Sequence, residues 1–422
     1  MSETATKKLF QPIRVGNVQL SHRIVLAPLT RTRADDAHVP TPTMVEYYAQ
    51  RASVPGTLLL AEGTFIAAKA GGLNNAPGIW SDAQIEGWKK VADAVHAQGS
   101  YIYMQLYANG RAPDPHVLFS PDSPIHAQGS YIYMQLYANG RAPDPHVLFS
   151  PDSPSNPGGP YPFVAPSPIP LSTSDQSIVP RELTHEEILE YIELFGQAAY
   201  NAVYRAGFDG VEIHCAHGYL IEQFIDDRAN RRTDQWGGSI DNRIRFPLEV
   251  IKKVVSVVGE ERTGFRLSPF STFQDMRMDH PYPTFAALTA RVREAYPRLA
   301  YLHVVEPRIA GAVDRVALEG ESNNFLRSIW KAPDSLKNGS VYLSAGGYNP
   351  ETAIEHAGKG DELVVFGRYF ISNPDLPARI KKGIPLTPYV RSKFYTGAHE
   401  GYTDYPFADP ETEARYNSIR KY

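Results

Sequence analysis

Eight short, nearly continuous apolar runs recur along this chain, and a helical pattern follows each of them. They are RIVLAPLT from Arg23, GTLLLAEGTF from Gly56, SYIYMQLY from Ser100, GVEIHC from Gly210, TGFRLSP from Thr263, AYLHVVEP from Ala300, SVYLSAGG from Ser340 and ELVVFGR from Glu362. A strand with one wet face alternates apolar with polar residues. Runs that do not alternate are buried on both faces, as in a parallel sheet covered by helices. Helix starts are marked between the runs: Ser81 with Gln84 and Thr184 with Glu187 have capping-box spacing, while Asn349-Pro350 and Asn373-Pro374 place an N-cap residue before a proline. The alternation predicts an α/β chain folded as a (β/α)8 TIM barrel with extended loops, with an open doubly wound sheet as the alternative. No GxGxxG follows the first run, which counts against a Rossmann-type nucleotide site. A minimal barrel needs roughly 250 residues, so a chain of 422 carries large insertions, the Pro/Ser-rich stretch 112–180 being the obvious one.

That stretch contains an anomaly. Residues 96–124 recur without a single change as 126–154, offset by 30 residues. Solenoid repeats diverge and come in threes or more; this is one perfect copy, and it includes a whole barrel strand. A single barrel has room for one of the two. The helical pattern from Ser81 to Gly99 ends directly at Ser100, so the first copy follows at ordinary helix–strand spacing and is expected in the barrel. The second is then an excursion on the face where insertions are best tolerated.

Composition narrows the function classes. The formal net charge of −4 is mixed in sign, which leaves no footprint for a polyanion such as nucleic acid. Cys215 is the only cysteine, so no intrachain disulfide can form and a reducing compartment fits. The start, MSETATKKLF, lacks the apolar core of a secretory signal, no run is long enough to span a membrane, and the terminal Arg420-Lys421-Tyr422 is no retention or peroxisomal address. A cytoplasmic protein is expected, without membrane partner.

The chemistry-bearing segment is DGVEIHCAHGYLIEQF, from Asp209 to Phe224. A strand stops there and delivers His214, His217 and Tyr219 at its carboxyl end before a helix. Two imidazoles can donate hydrogen bonds to one oxygen, and a phenol can supply a proton, which suits chemistry on a carbonyl compound. His-x-x-His is also a zinc half-site, with His303 and Glu306 as the tempting further ligands, and a lone strand histidine is commonly just a satisfied core residue.

In order along the chain, APLTRTRA, AEGTFI, APGIW, VEIHxxHGYL, RTDxWGGSIDNR, RLSP, VEPR, SNNF, FGRYFISNPDL and GYxDYP resemble the Old Yellow Enzyme family of FMN-dependent ene-reductases, which includes the oxophytodienoate reductases. The resemblance runs from Leu9 to Pro406, with fungal-looking features, and the duplication is its one large departure. It implies a single FMN-binding TIM-barrel domain over 1–422, with the flavin across the carboxyl-terminal mouth. Pro28, Leu29 and Thr30 would line the flavin edge, Gly63 would admit the ring close to the backbone, and Gln105 (or its duplicate Gln135) would bond the pyrimidine end. Arg266 would face the charge of the reduced ring. Gly346-Gly347 and Gly367-Arg368, in the loops after strands seven and eight, would hold the phosphate.

Substrate, on the same resemblance, would be an enone or enal whose carbonyl sits between His214 and His217, with Tyr219 as proton donor. Tyr395 would wall the pocket, as would Tyr107 or its duplicate Tyr137, at a position often Trp in yeast members. The implied activity is NADPH-driven reduction of the C=C bond of α,β-unsaturated carbonyl compounds by a monomer or homodimer. Two rivals stay open: a metal-dependent hydrolase using the His pair, and a flavin-binding scaffold whose turnover the duplication impairs.

Overall fold

The computed structural model describes residues 8–112, 162–173, 176, 178–311, 313–397 and 399–420. Eight parallel strands close into a barrel: β1 (Ile24–Leu26), β2 (Leu58–Phe65), β3 (Tyr101–Tyr107), β4 (Gly210–Cys215), β5 (Thr263–Leu267), β6 (Tyr301–Val305), β7 (Val341–Ala345) and β8 (Glu362–Phe366). Neighbours in sequence are neighbours in the barrel, and β8 closes onto β1. All eight apolar runs are therefore barrel strands, and the open-sheet alternative falls.

β3 comes from the first repeat copy, pairing with β2 on one side (Leu60 with Tyr103) and β4 on the other (Gln105 with Glu212). The second copy, with Gln135 and Tyr137, lies outside the described residues.

Alternation along each strand divides the apolar residues into two cores. Inward-facing Val25, Leu58, Leu60, Leu343 and Leu363 fill the barrel, joined by Ile13, Val15, Val18 and Leu20 of a short antiparallel hairpin. That hairpin plugs the amino-terminal end of the barrel: Gly16 N–H donates to Gly339 O at 2.7 Å, and Tyr103 Oη donates to Asn17 Oδ1 at 3.2 Å. Residues of opposite parity, such as Ile213, Phe265 and Leu302, pack outward against the helices. Each fully buried Leu or Ile contributes roughly 1.5–3 kcal/mol. Gly264 is obligatory here, because a Cβ would sit 2.3 Å from the Tyr301 ring that fills the barrel floor.

The helices lie outside the strands: α1 (Pro42–Arg51), α2 (Asp82–Ala97), α3 (His185–Tyr200), α4 (Leu220–Ile225), α5 (Arg245–Val258), α6 (Pro281–Ala295), α7 (Asn324–Trp330), α8 (Pro350–Lys359), α9 (Arg368–Ser372) and α10 (Leu376–Lys382). The capping boxes at Ser81 and Thr184 form as the spacing predicts, and Asn349 caps its helix as expected, in a box with Thr352. Asn373 does not cap a helix start. It ends α9, and its side chain is taken up by Thr387, accepting from N–H at 2.8 Å and donating to O at 3.0 Å. α10 starts two residues later behind Asp375, with Pro377 in its first turn.

Candidate active site

The carboxyl-terminal mouth of the barrel is a cleft of about 1210 Å³, open solvent included, to which all eight strands or the loops after them contribute. Apart from the duplicates Gln135 and Tyr137, the residues expected to hold flavin and substrate line this one cleft: Pro28, Leu29 and Thr30 after β1, Gly63 in β2, Gln105 and Tyr107 in β3, and His214, His217 and Tyr219 at the end of β4. Arg266 joins them from β5, Gly346 and Gly347 after β7, Gly367 and Arg368 after β8, and Tyr395 from the C-terminal segment.

Strand parity explains the convergence. Glu212 and His214 are two apart on β4 and share its inward face, and the registers Gln105–Glu212 and His214–Arg266 place four polar side chains side by side. Gln105 Nε2 donates to Glu212 Oε1 at 2.7 Å and lies 3.5 Å from His214 Nδ1; in the tautomer that accepts this contact, the His214 proton sits on Nε2. Glu212 Oε2 is 2.8 Å from His303 Nδ1, both residues fully buried. Burial pushes the Glu212 pKa up, but His303, Arg266 and Gln105 outweigh it and hold the carboxyl below its ordinary value.

Burial, with Arg266 close by, pushes both His214 and His217 well below the ordinary histidine pKa. Both imidazoles are neutral at neutral pH, each with one N–H to give. Their ring centroids are 5.8 Å apart, a separation at which both can reach one oxygen, and Tyr219 lies 5.0 Å from His214. His217 has φ +59 and Gly218 φ +75; the left-handed conformation costs a non-glycine residue ~1–2 kcal/mol. This turn brings His217 and Tyr219 back beside His214, where a continuing strand would carry them away.

The cleft fits FMN on three observations. Gly63 lies at a register shift in β2 and lines the cavity without a side chain, and a Cβ there would come 2.9 Å from Tyr107. Arg266 is buried, and its Nε has no hydrogen-bond partner among the described residues. Gly347 (φ +65) lies beside Arg368, where a built Cβ would be 3.0 Å from Nη2, so bare backbone and a guanidinium able to hold an anion sit side by side in the cleft. Arg368 also carries a partner that sequence reading missed: Asp314, in a hairpin after β6, accepts two hydrogen bonds from it at 2.7 and 2.5 Å.

Other lining residues were equally silent in the sequence. Phe273 sits in the loop after β5, 6.4 Å from the His217 ring, and Ile309, Tyr348, Tyr369 and Phe394 complete the wall. Phe394 is anchored by Arg31 and Arg33, both donating to its carbonyl at 2.9 Å. The postulated zinc partners point elsewhere: His303 to Glu212, and Glu306 to Ser344 and Arg327. Among the described residues no three His, Cys, Asp or Glu side chains converge as a metal-ligand set, and no helix is long and apolar enough to cross a membrane.

The chain is similar to known proteins over most of its length. The chain matches the NADH:flavin oxidoreductase / NADH oxidase family in two stretches, 8–125 and 122–387, which meet at the end of the first repeat copy. It is 48% identical over 407 residues to the chanoclavine-I aldehyde reductase of Penicillium roqueforti, covering 95% of this chain and 96% of that one. It is 43% identical over 418 residues, 96% of each, to a protein of Epichloe festucae var. lolii named "Probable inactive reductase". The crystal structure of Old Yellow Enzyme from Pichia sp. superposes with a TM-score of 0.77 at 35% identity, covering 96% of this chain and 95% of that one. With the barrel, the bare flavin bed and these likenesses together, the chain belongs to the NADH:flavin oxidoreductase / NADH oxidase family, as an FMN-binding oxidoreductase of Old Yellow Enzyme type served by a nicotinamide donor.

Proposed function

We propose that this protein is an NADPH dehydrogenase of the ene-reductase type, reducing the C=C bond of α,β-unsaturated carbonyl compounds. The observation that carries the reading is the pair of neutral, buried imidazoles beside a phenol, on the same cleft as the flavin-binding groups. His214 and His217 would hold the carbonyl oxygen. Donors fixed toward an oxygen that gains negative charge are worth roughly 3 kcal/mol each in a water-poor site. Bound FMN would supply hydride, from its N5, to the β-carbon that this polarisation makes electrophilic. Tyr219 would deliver the proton of its phenol hydroxyl to the α-carbon. Gln105 and Arg266 would hold the pyrimidine end of the ring, and Gly346, Gly347, Gly367 and Arg368 its phosphate. Tyr107 and Tyr395 would orient the substrate.

Anaerobic reduction of 2-cyclohexenone by NADPH tests this reading: the product should be cyclohexanone, with the alkene step dependent on Tyr219. A small-molecule enzyme of the cytoplasm, monomeric or homodimeric, fits it. One second reading has an observation behind it, since a relative at 43% identity bears the name of an inactive reductase. A flavin scaffold without turnover would bind stoichiometric FMN yet oxidise no NADPH.

A further inference from the structure

We propose that Glu222 and Ser268 are positioning residues for alkene reduction: together they hold the backbone turn that sets His217 and Tyr219 against one another. The inference rests on the reading of those two residues as carbonyl holder and proton donor.

α4 begins abruptly. Its N-cap is Tyr219, whose side chain makes no capping hydrogen bond. A Ser, Thr, Asp or Asn in that place would satisfy the first orphan N–H groups itself; a phenol committed to the cleft does not. An acceptor does come from inside the helix, but it serves the turn before the helix. Glu222, at the third helical position, reaches back as the second partner of a capping box does, but one residue further, and accepts the Gly218 N–H at 2.6 Å. Ser268, just beyond β5, accepts the His217 N–H at 2.9 Å, and its hydroxyl lies 3.0 Å from Glu222 Oε1. Two successive amides in left-handed conformation thus turn toward one buried pair, Glu222 being 2% and Ser268 1% exposed.

The turn has little room to relax. A Cβ on Gly218 would stand 2.6 Å from Gln274 Cβ, so the loop after β5 presses against it. Removing either acceptor strands a buried N–H, which a backbone already in the left-handed region escapes by moving. His217 and Tyr219 flank Gly218 and would move with it. The carboxyl also suits its place as a neutral group. Burial raises its pKa to about 8 against the pull of the Gly218 N–H, with Asp226 and Arg266 as its charged neighbours. Glutamine is therefore a near-isosteric replacement at pH 7 that keeps an oxygen for the Gly218 N–H.

The test titrates the FMN-loaded protein with 4-chlorophenol, whose oxygen would take the carbonyl's place between His214 and His217, reading the change it makes in the flavin spectrum, and measures FMN content and the alkene step in parallel. E222A and S268A should each weaken phenol binding by about tenfold, the scale of one stranded buried hydrogen bond, and slow the alkene step while FMN content stays at the parent level. E222Q should recover affinity to within about threefold. S268A, which deletes a single oxygen, and E222Q carry the test if E222A does not fold. Phenol affinity at the parent level in S268A or E222A would overturn the proposal, as would an E222Q protein as impaired as S268A. H217A is the control for the underlying reading: if it binds phenol like the parent, the carbonyl-holding role fails whatever the other variants do.

Discussion

The two ends of the cleft are built from opposite materials. At the β4 end His214, His217 and Tyr219 are 4%, 8% and 7% exposed, the imidazoles are uncharged, and a strained turn fixes them. At the β8 end Arg368 keeps its charge, and its partner Asp314 is 64% exposed at the side chain. Hydrogen bonds gain strength where water is excluded, so neutral donors suffice to polarise a carbonyl at the first end. At the second, Asp314 can return to water when it leaves Arg368, so a phosphate can share or replace it. On the proposed reading, chemistry belongs to one end and cofactor retention to the other.

Substitutions can break that division. Tyr219→Phe should slow alkene reduction by about 10²–10⁴-fold, the scale of a lost general acid, with FMN content and flavin reduction by NADPH nearly unchanged in stopped-flow measurements. An unchanged alkene step would mean that another group or water supplies the proton. Arg368→Ala should weaken FMN binding by roughly 10–100-fold, since hydrogen bonds to charged groups are worth about 1.5–3 kcal/mol, and should leave carbonyl binding alone. Arg266→Ala should retain more FMN than Arg368→Ala while shifting the flavin potential; equal retention in an ultrafiltration assay would count against Arg368 as the phosphate residue.

These contrasts also show why some of the molecule was readable from sequence and some was not. Barrel strands such as GVEIHC leave a local signature because both faces are buried, so eight of them could be counted without a partner in view. His214, His217 and Tyr219 were legible because one short segment holds them all. Asp314 was not: it lies 54 residues from Arg368, in a hairpin of two-residue strands that no periodicity announces. Glu222 reads as an ordinary polar helix residue until the left-handed turn before it is seen. At Asn373 a local rule misled, because the backbone of Thr387, 14 residues away, outcompeted the helix start for its side chain.

Smaller effects sharpen the comparison. Gln105→Ala should weaken FMN binding by about 3–10-fold, the scale of one neutral hydrogen bond, whereas Gln135→Ala should leave it unchanged, because β3 comes from the first repeat copy. If Gln135 alone matters, flavin binding uses the other copy. The smallest effect is one of pH. Both imidazoles have pKa values depressed well below the ordinary value of about 6.5, so the neutral form persists as pH falls through 6.5 and is lost only at clearly lower pH. Enone affinity should therefore change less than about twofold between pH 8 and 6. A titration step centred near 6.5 that vanishes in His217→Ala would show that the pair is not neutral by burial.

The most direct test of the central claim is the visible spectrum of the FMN-loaded protein, recorded anaerobically before NADPH, after NADPH and after 2-cyclohexenone. The account predicts oxidised flavin bands that bleach with NADPH and return with the enone, one cyclohexanone forming per flavin. A protein that rejects FMN, or a bleached flavin that the enone leaves reduced although Tyr219, His214 and His217 are intact, would contradict it.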